Sequence, residues 1–127
     1  MKIIILDTNF IIYLLKYKIQ LFKEIERILY ENYQIYVLDK TLEELKNLEE
    51  KGKKQNKLLT KLSLKFLKIN ENKILTIKTK ENKQVDDLIK DIINKDTIIA
   101  TQDKKLKKVL KCPIIIIRQK KYLKLLD

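Results

Sequence analysis

Five short runs of aliphatic and β-branched residues punctuate the chain: Ile3–Leu6, Ile35–Leu38, the stretch KILTIK, TIIA, and PIIII. Each is too short for a buried helix, and the first, Ile3–Leu6, is apolar without a break, which suits a strand covered on both faces. Between them the apolar residues recur at helical spacing. Strands alternating with helices predict a parallel sheet with right-handed crossovers. The expected architecture is a three-layer α/β domain filling residues 1–127, a length that buries roughly two-thirds of its chain surface in one core.

The helical segments follow from the same periodicity. Asn9 to Lys16 and Ile19 to Asn32 read as helices, the second with Leu21, Phe22, Ile25, Ile28 and Leu29 on one face. TLEELKNLEE starts a helix that stops near Gly52. The KGKKQNK stretch reads as a hinge before a helix over Leu58 to Leu67. A polar loop, TKENKQ, precedes the helical VDDLIKDII, and QDKKLKKVL gives a short helix. The tail RQKKYLKLL is expected to add a helical turn or two.

Composition narrows the chemistry. The chain has no His, a single Cys (Cys112) and a single Gly (Gly52). A His base, a Cys–His pair, a Cys/His zinc site, a P-loop and a Gly-rich dinucleotide motif are all excluded. A lone thiol fits a reducing, cytoplasmic location. No apolar stretch approaches the ~18 residues of a membrane span, and the short N-terminal run lacks the marks of a signal peptide. The net charge is +12 from 29 basic and 17 acidic residues, which points to a polyanionic partner. Only Arg27 and Arg118 are arginines. Lysine suits phosphate contact better than base reading, where a bidentate Arg is favoured.

Against that positive background, acids follow the strand ends. Asp7 ends the first strand, and Glu43 and Glu44 lie in the helix after the second. Asp86 and Asp87 open the helix after the third, and Asp103 opens the helix after the fourth. In a parallel sheet these positions share one rim, the rim on which such folds build their sites. Each acid also has a local explanation: Asp7 as a helix cap, Thr41-x-x-Glu44 as a capping box, the others as first-turn charges favoured by the helix dipole. At 100° per residue, Glu43 opposes the stripe of Leu42, Leu45 and Leu48, whereas Glu44 borders it. The same construction sets Asp86 at the edge of the Val85, Leu88, Ile89, Ile92 and Ile93 stripe, with Asp87 outward. Asp103 flanks Leu106, Val109 and Leu110. Carboxylates gathered on one rim repel unless a cation lies among them. Mg²⁺ or Mn²⁺ is the expected occupant, and it suits phosphodiester hydrolysis.

The blocks IIILDTNFII, TLEELKNL, VDDLIKDII and IIATQDKKLKKVL resemble, in order, the four acidic blocks of PIN-domain nucleases. The ending is most similar to the archaeal and eukaryotic branch related to small-subunit rRNA processing factors, rather than to VapC-type toxins. By position, Asp7, Glu44, Asp86 and Asp103 match the family's acidic quartet, with Asp87 kept beside Asp86 as an alternative metal ligand. Asn9 and Thr101 match polar positions that support those ligands. The resemblance implies a Rossmann-like fold with strand order 3-2-1-4-5 and divalent-metal-dependent cleavage of single-stranded RNA, with a structured rRNA precursor as the alternative RNA partner. It also implies a homodimer or a processing-complex partner as the assemblies to look for. A non-catalytic RNA-binding member of a processing complex and a toxin-type ribonuclease are the competing readings. A phosphoacceptor receiver domain fits poorly: it needs an acid pair ending strand one and a Lys ending strand five, where this chain has Asp7 alone and Arg118. A haloacid-dehalogenase phosphatase needs a second Asp where Asn9 stands.

Overall fold

The computed structural model describes residues 1–79 and 85–127, apart from the side chains of Gln55, Val85, Asp86 and Asp91. The elements run β1 (Lys2–Leu6), α1 (Thr8–Lys16), α2 (Leu21–Ile28), β2 (Tyr33–Leu38), α3 (Asp39–Lys51), α4 (Lys54–Ile69) and β3 (Ile74–Ile77). They continue with α5 (Val85–Ile92), β4 (Thr97–Ala100), α6 (Lys104–Val109), β5 (Ile114–Arg118) and β6 (Tyr122–Leu126). The sheet order is β3-β2-β1-β4-β5-β6, so the expected central order 3-2-1-4-5 is present with a sixth strand added. All pairs are parallel except β5 with β6.

Side-chain alternation divides the sheet into two packed faces. Ile4, Leu6, Ile35, Val37, Ile98, Ala100, Ile115 and Ile117 point to one side, where Phe10, Ile11 and Leu14 of α1, Ile25 of α2, Leu45 of α3 and Leu67 of α4 cover them. Ile5, Leu38, Ile99, Ile114 and Ile116 point to the other, under Leu88 and Ile89 of α5 and Leu106 of α6. Burial on both faces is why β1, β4 and β5 read as nearly continuous apolar runs, whereas the edge strand β3 leaves Leu75 and Thr76 exposed.

Several boundaries differ from the sequence expectation. The helix expected over Ile19 to Asn32 is only Leu21–Ile28, because Leu29 turns extended (φ −130°, ψ 121°) to carry the chain to β2. The KGKKQNK stretch is mostly helix, since α4 already begins at Lys54. Its glycine ends α3, where a Cβ at Gly52 would run into the Leu48 carbonyl. Leu48 and Val109, expected on core stripes, are 37% and 53% exposed. The loop expected over 79–84 lies outside the described residues except for Thr79.

The largest correction concerns the tail. It forms β6, not a helical turn, and pairs antiparallel with β5 in the register Ile117↔Leu123. Gln119 and Lys120 take positive φ (51° and 57°), and the Lys121 N–H closes the turn on the Arg118 carbonyl at 3.0 Å. On the far side of β6, the Leu123 N–H donates to Glu24 Oε1 (2.9 Å), and Arg27 Nη2 donates to the Leu123 carbonyl (2.6 Å). Those side chains from α2 occupy backbone groups that an edge strand would otherwise present to another chain.

Candidate active site

Strand order reverses at β1, whose neighbours are β2 and β4, so the carboxyl ends of β1 and β4 form the crevice where such sheets bind ligands. The register Leu6↔Ala100 sets Asp7 beside Thr101, one step past the paired ends. Asp7 caps α1 from an extended conformation (φ −73°, ψ 152°), and its own N–H donates to the Ala100 carbonyl at 2.9 Å. Only 5% of the residue is exposed. A carboxylate that deep needs donors: Oδ1 accepts the Thr8 N–H and Oδ2 accepts the Thr101 hydroxyl, each at 2.9 Å.

Thr101, fully buried, also accepts the Asp103 N–H at 3.0 Å. One hydroxyl therefore joins two of the acids picked from sequence. Asp103 caps α6, with Oδ1 accepting from the Lys105 and Leu106 amides at 2.9 and 3.3 Å. Between them, Gln102 bonds β5 in both directions: the Ile117 N–H donates to its Oε1 (2.7 Å), and its Nε2 donates to the Ile117 carbonyl (3.3 Å). The side chain continues the β4–β5 ladder past its last backbone pair and steadies the peptide carrying Thr101 and Asp103.

On the other flank, the Thr8 hydroxyl meets the Thr41 hydroxyl at 3.4 Å, both residues being buried. Glu44 lies one turn beyond Thr41 on α3 and is half-buried, while Glu43 is exposed and paired with Lys40 at 3.1 Å. Thr41 is not the cap of α3, contrary to the capping-box reading, because the helix starts at Asp39. Asp39 instead binds the neighbouring loop: its carboxylate accepts from the Lys40 N–H (2.8 Å), the Thr79 N–H (3.0 Å) and the Thr79 hydroxyl (2.6 Å). The Thr79 hydroxyl foremost, against an opposing pull from burial, holds the Asp39 pKa below the ordinary Asp value. Asp39 follows β2 as Asp7 follows β1, and the parallel between ILD and VLD was available in the sequence.

Asn9 is exposed on the first turn of α1, and Asp87 is exposed on α5. Asp86 is the second residue of α5, whose Leu88 and Ile89 anchor it to the sheet; its side chain lies outside the described residues. Among those residues, no three acids stand close enough to hold an ion. The donors on the rim, Asp7, Glu44 and Asp103, are nonetheless hard carboxylate oxygens of the kind that fits Mg²⁺ or Mn²⁺. Positive charge adjoins them. The Lys107 ammonium feels the Asp103 carboxylate, while burial first, then repulsion from Arg118, lowers its pKa. Clefts of about 580 and 670 Å³ line α3–α4 and α1–α2–α4, and neither includes these acids.

This combination of a doubly covered parallel sheet and a buried acid at its switch point defines a Rossmann-like α/β protein with a carboxylate site. Residues 4–120 match the model of the PIN like domain family, and the chain belongs to that family. It is 35% identical over 124 residues to Ribonuclease VapC4 of Methanocaldococcus jannaschii, spanning 94% of this chain and 92% of that protein. Its fold is similar to the structure of the PIN domain endonuclease Utp24, with a TM-score of 0.78 at 26% identity, covering 97% of this chain and 90% of that one. The names of these relatives support ribonuclease activity.

Proposed function

We propose that this protein is a divalent-metal-dependent endoribonuclease that hydrolyses phosphodiester bonds of single-stranded RNA, in the cytoplasm and in the service of rRNA processing. The observation that carries the reading is the buried Asp7 carboxylate, oriented by Thr101 and joined through it to Asp103 at the switch point. Asp7, Glu44, Asp86 and Asp103 are the residues that would hold Mg²⁺ or Mn²⁺, with Asn9 and Thr101 in support. When bound, such an ion activates water and offsets charge on the phosphoryl oxygens. The chain itself supplies fixed oxygens: Thr101 and the Thr8 N–H prevent Asp7 from rotating away, and the α6 amides fix Asp103. Lys107, Arg118 and the lysine-rich surface attract the phosphate backbone. The resemblance of the chain's ending to the archaeal and eukaryotic rRNA-processing branch favours rRNA processing over a toxin role, and an active purified protein would exclude the non-catalytic reading.

The test is cleavage of a labelled single-stranded RNA by purified protein in EDTA, then with Mn²⁺ or Mg²⁺. Activity should require the ion. Asp86→Asn should lower it by orders of magnitude, whereas Asp87→Asn, losing first-turn dipole effects of about 0.3–1 kcal/mol, should stay near the wild type. Metal-independent cleavage, or the opposite order of the two variants, would refute the assignment.

A further inference from the structure

One flank of α1, at the edge of the core, carries an aromatic and cationic group that the acid site does not use. The rings of Tyr13 and Tyr17 stack with centroids 5.7 Å apart and planes 6° from parallel. Lys16 Nζ lies 6.0 Å from the Tyr13 centroid and 5.6 Å from that of Tyr17. Lys120, carried on the positive-φ turn between β5 and β6, lies 5.8 Å from the Tyr17 centroid. Both tyrosines are only half-buried. An aliphatic residue would fill their share of the core edge equally well; what the tyrosines add is a flat π-face beside ammonium groups.

Tyr13 also walls a cleft of about 230 Å³ between α1 and α4, together with Asn9, Lys16 and Asn56. This is smaller than the roughly 300–1,000 Å³ typical of small-molecule pockets, and fits a single planar ring. Asn9 is two residues from Asp7 and one turn before Tyr13, so the cleft runs about 6 Å along α1 from the residue nearest that acid in the chain to Tyr13. Sequence-tolerant binding of single strands combines these parts: bases stacked on aromatic side chains and phosphates tracked by positive charge.

We propose that this cleft stacks one base of a single-stranded RNA against Tyr13 while Lys16 and Lys120 meet the flanking phosphates, feeding the strand to the rim at Asn9. The proposal rests on the ribonuclease reading for its substrate, and its test separates the two. Binding is measured in EDTA, with the full chain, to a short oligouridine and to an oligomer of equal length and charge with abasic residues. The wild type should bind oligouridine roughly 5-fold or more tightly than the abasic oligomer. Tyr13→Leu should erase that difference, Tyr13→Phe should keep it, and Lys16→Gln should weaken both oligomers alike. Crosslinking of 5-iodouridine RNA to the wild type should map to residues 13–17. Equal binding of both oligomers by the wild type, full discrimination by Tyr13→Leu, or crosslinks confined to other segments would overturn the proposal. Base-dependent binding without metal-dependent cleavage would sink the nuclease reading and leave the stacking site standing.

Discussion

Thr101→Val removes one oxygen and almost no volume, yet that oxygen serves both Asp7 Oδ2 and the Asp103 N–H. The bond to the ionised, buried Asp7 is worth about 1.5–3 kcal/mol. Asp103 is only half-buried, so water can take over much of the second bond. A loss of about 2–3 kcal/mol is a large share of a typical 5–15 kcal/mol, and should lower Tm by roughly 8 °C at this chain length. Thr101→Ser keeps the hydroxyl and loses a buried methyl, about 1 kcal/mol. Activity should rank the variants more sharply. A carboxylate left without its orienting partner typically weakens metal affinity or activity 10–100-fold. The Mn²⁺ concentration for half-maximal RNA cleavage should therefore rise in Thr101→Val and stay near the wild type in Thr101→Ser. Urea unfolding and metal titration of all three proteins provide the two readouts. If Ser proves as inactive as Val, or if Val matches the wild type in both assays, the hydroxyl does not organise this site.

Further outcomes follow from other contacts. The Asp39 pKa is lowered in the folded state, so its stabilisation is complete above the unfolded value near 4 and fades as pH falls through the folded one; Tm of the wild type should drop more than that of Asp39→Asn between neutral pH and pH 3. Glu24→Ala leaves the buried Leu123 N–H without its acceptor and should destabilise by about 1–2 kcal/mol, while Glu24→Gln should recover part of this; equal urea midpoints for the two would refute the role given to that bond. RNA affinity should fall steeply with salt, and replacing the exposed Lys53 with Gln should reduce the log–log slope by about 0.7 if it contacts a phosphate; an unchanged slope would remove it from the interface.

The inner strands are legible because burial on both faces imposes nearly continuous apolar runs, a signal that needs no knowledge of partners. The acids at strand ends were legible for a related reason: a parallel topology sends every carboxyl end to one rim. The tail's strand is not legible in the sequence because its turn, RQKK, has no Asn-Gly or Asp-Gly, the usual residues for positive φ in a tight hairpin. Gln119 and Lys120 adopt that conformation only because β5 offers an open edge and α2 offers Glu24 and Arg27 to the opposite side of β6. Thr41 has the sequence pattern of a cap because a capping box is local, whereas its burial against Thr8 depends on α1 and α3 meeting over the sheet. Residue types and spacing thus determined the layers and the acids that follow the strand ends. Which hydroxyl orients which carboxylate, that Asp39 ties β3 to α3, and that the chain closes its sheet with a sixth strand were decided by tertiary register, because hydrogen bonds between residues 94 or 40 positions apart exist only once the strands are aligned.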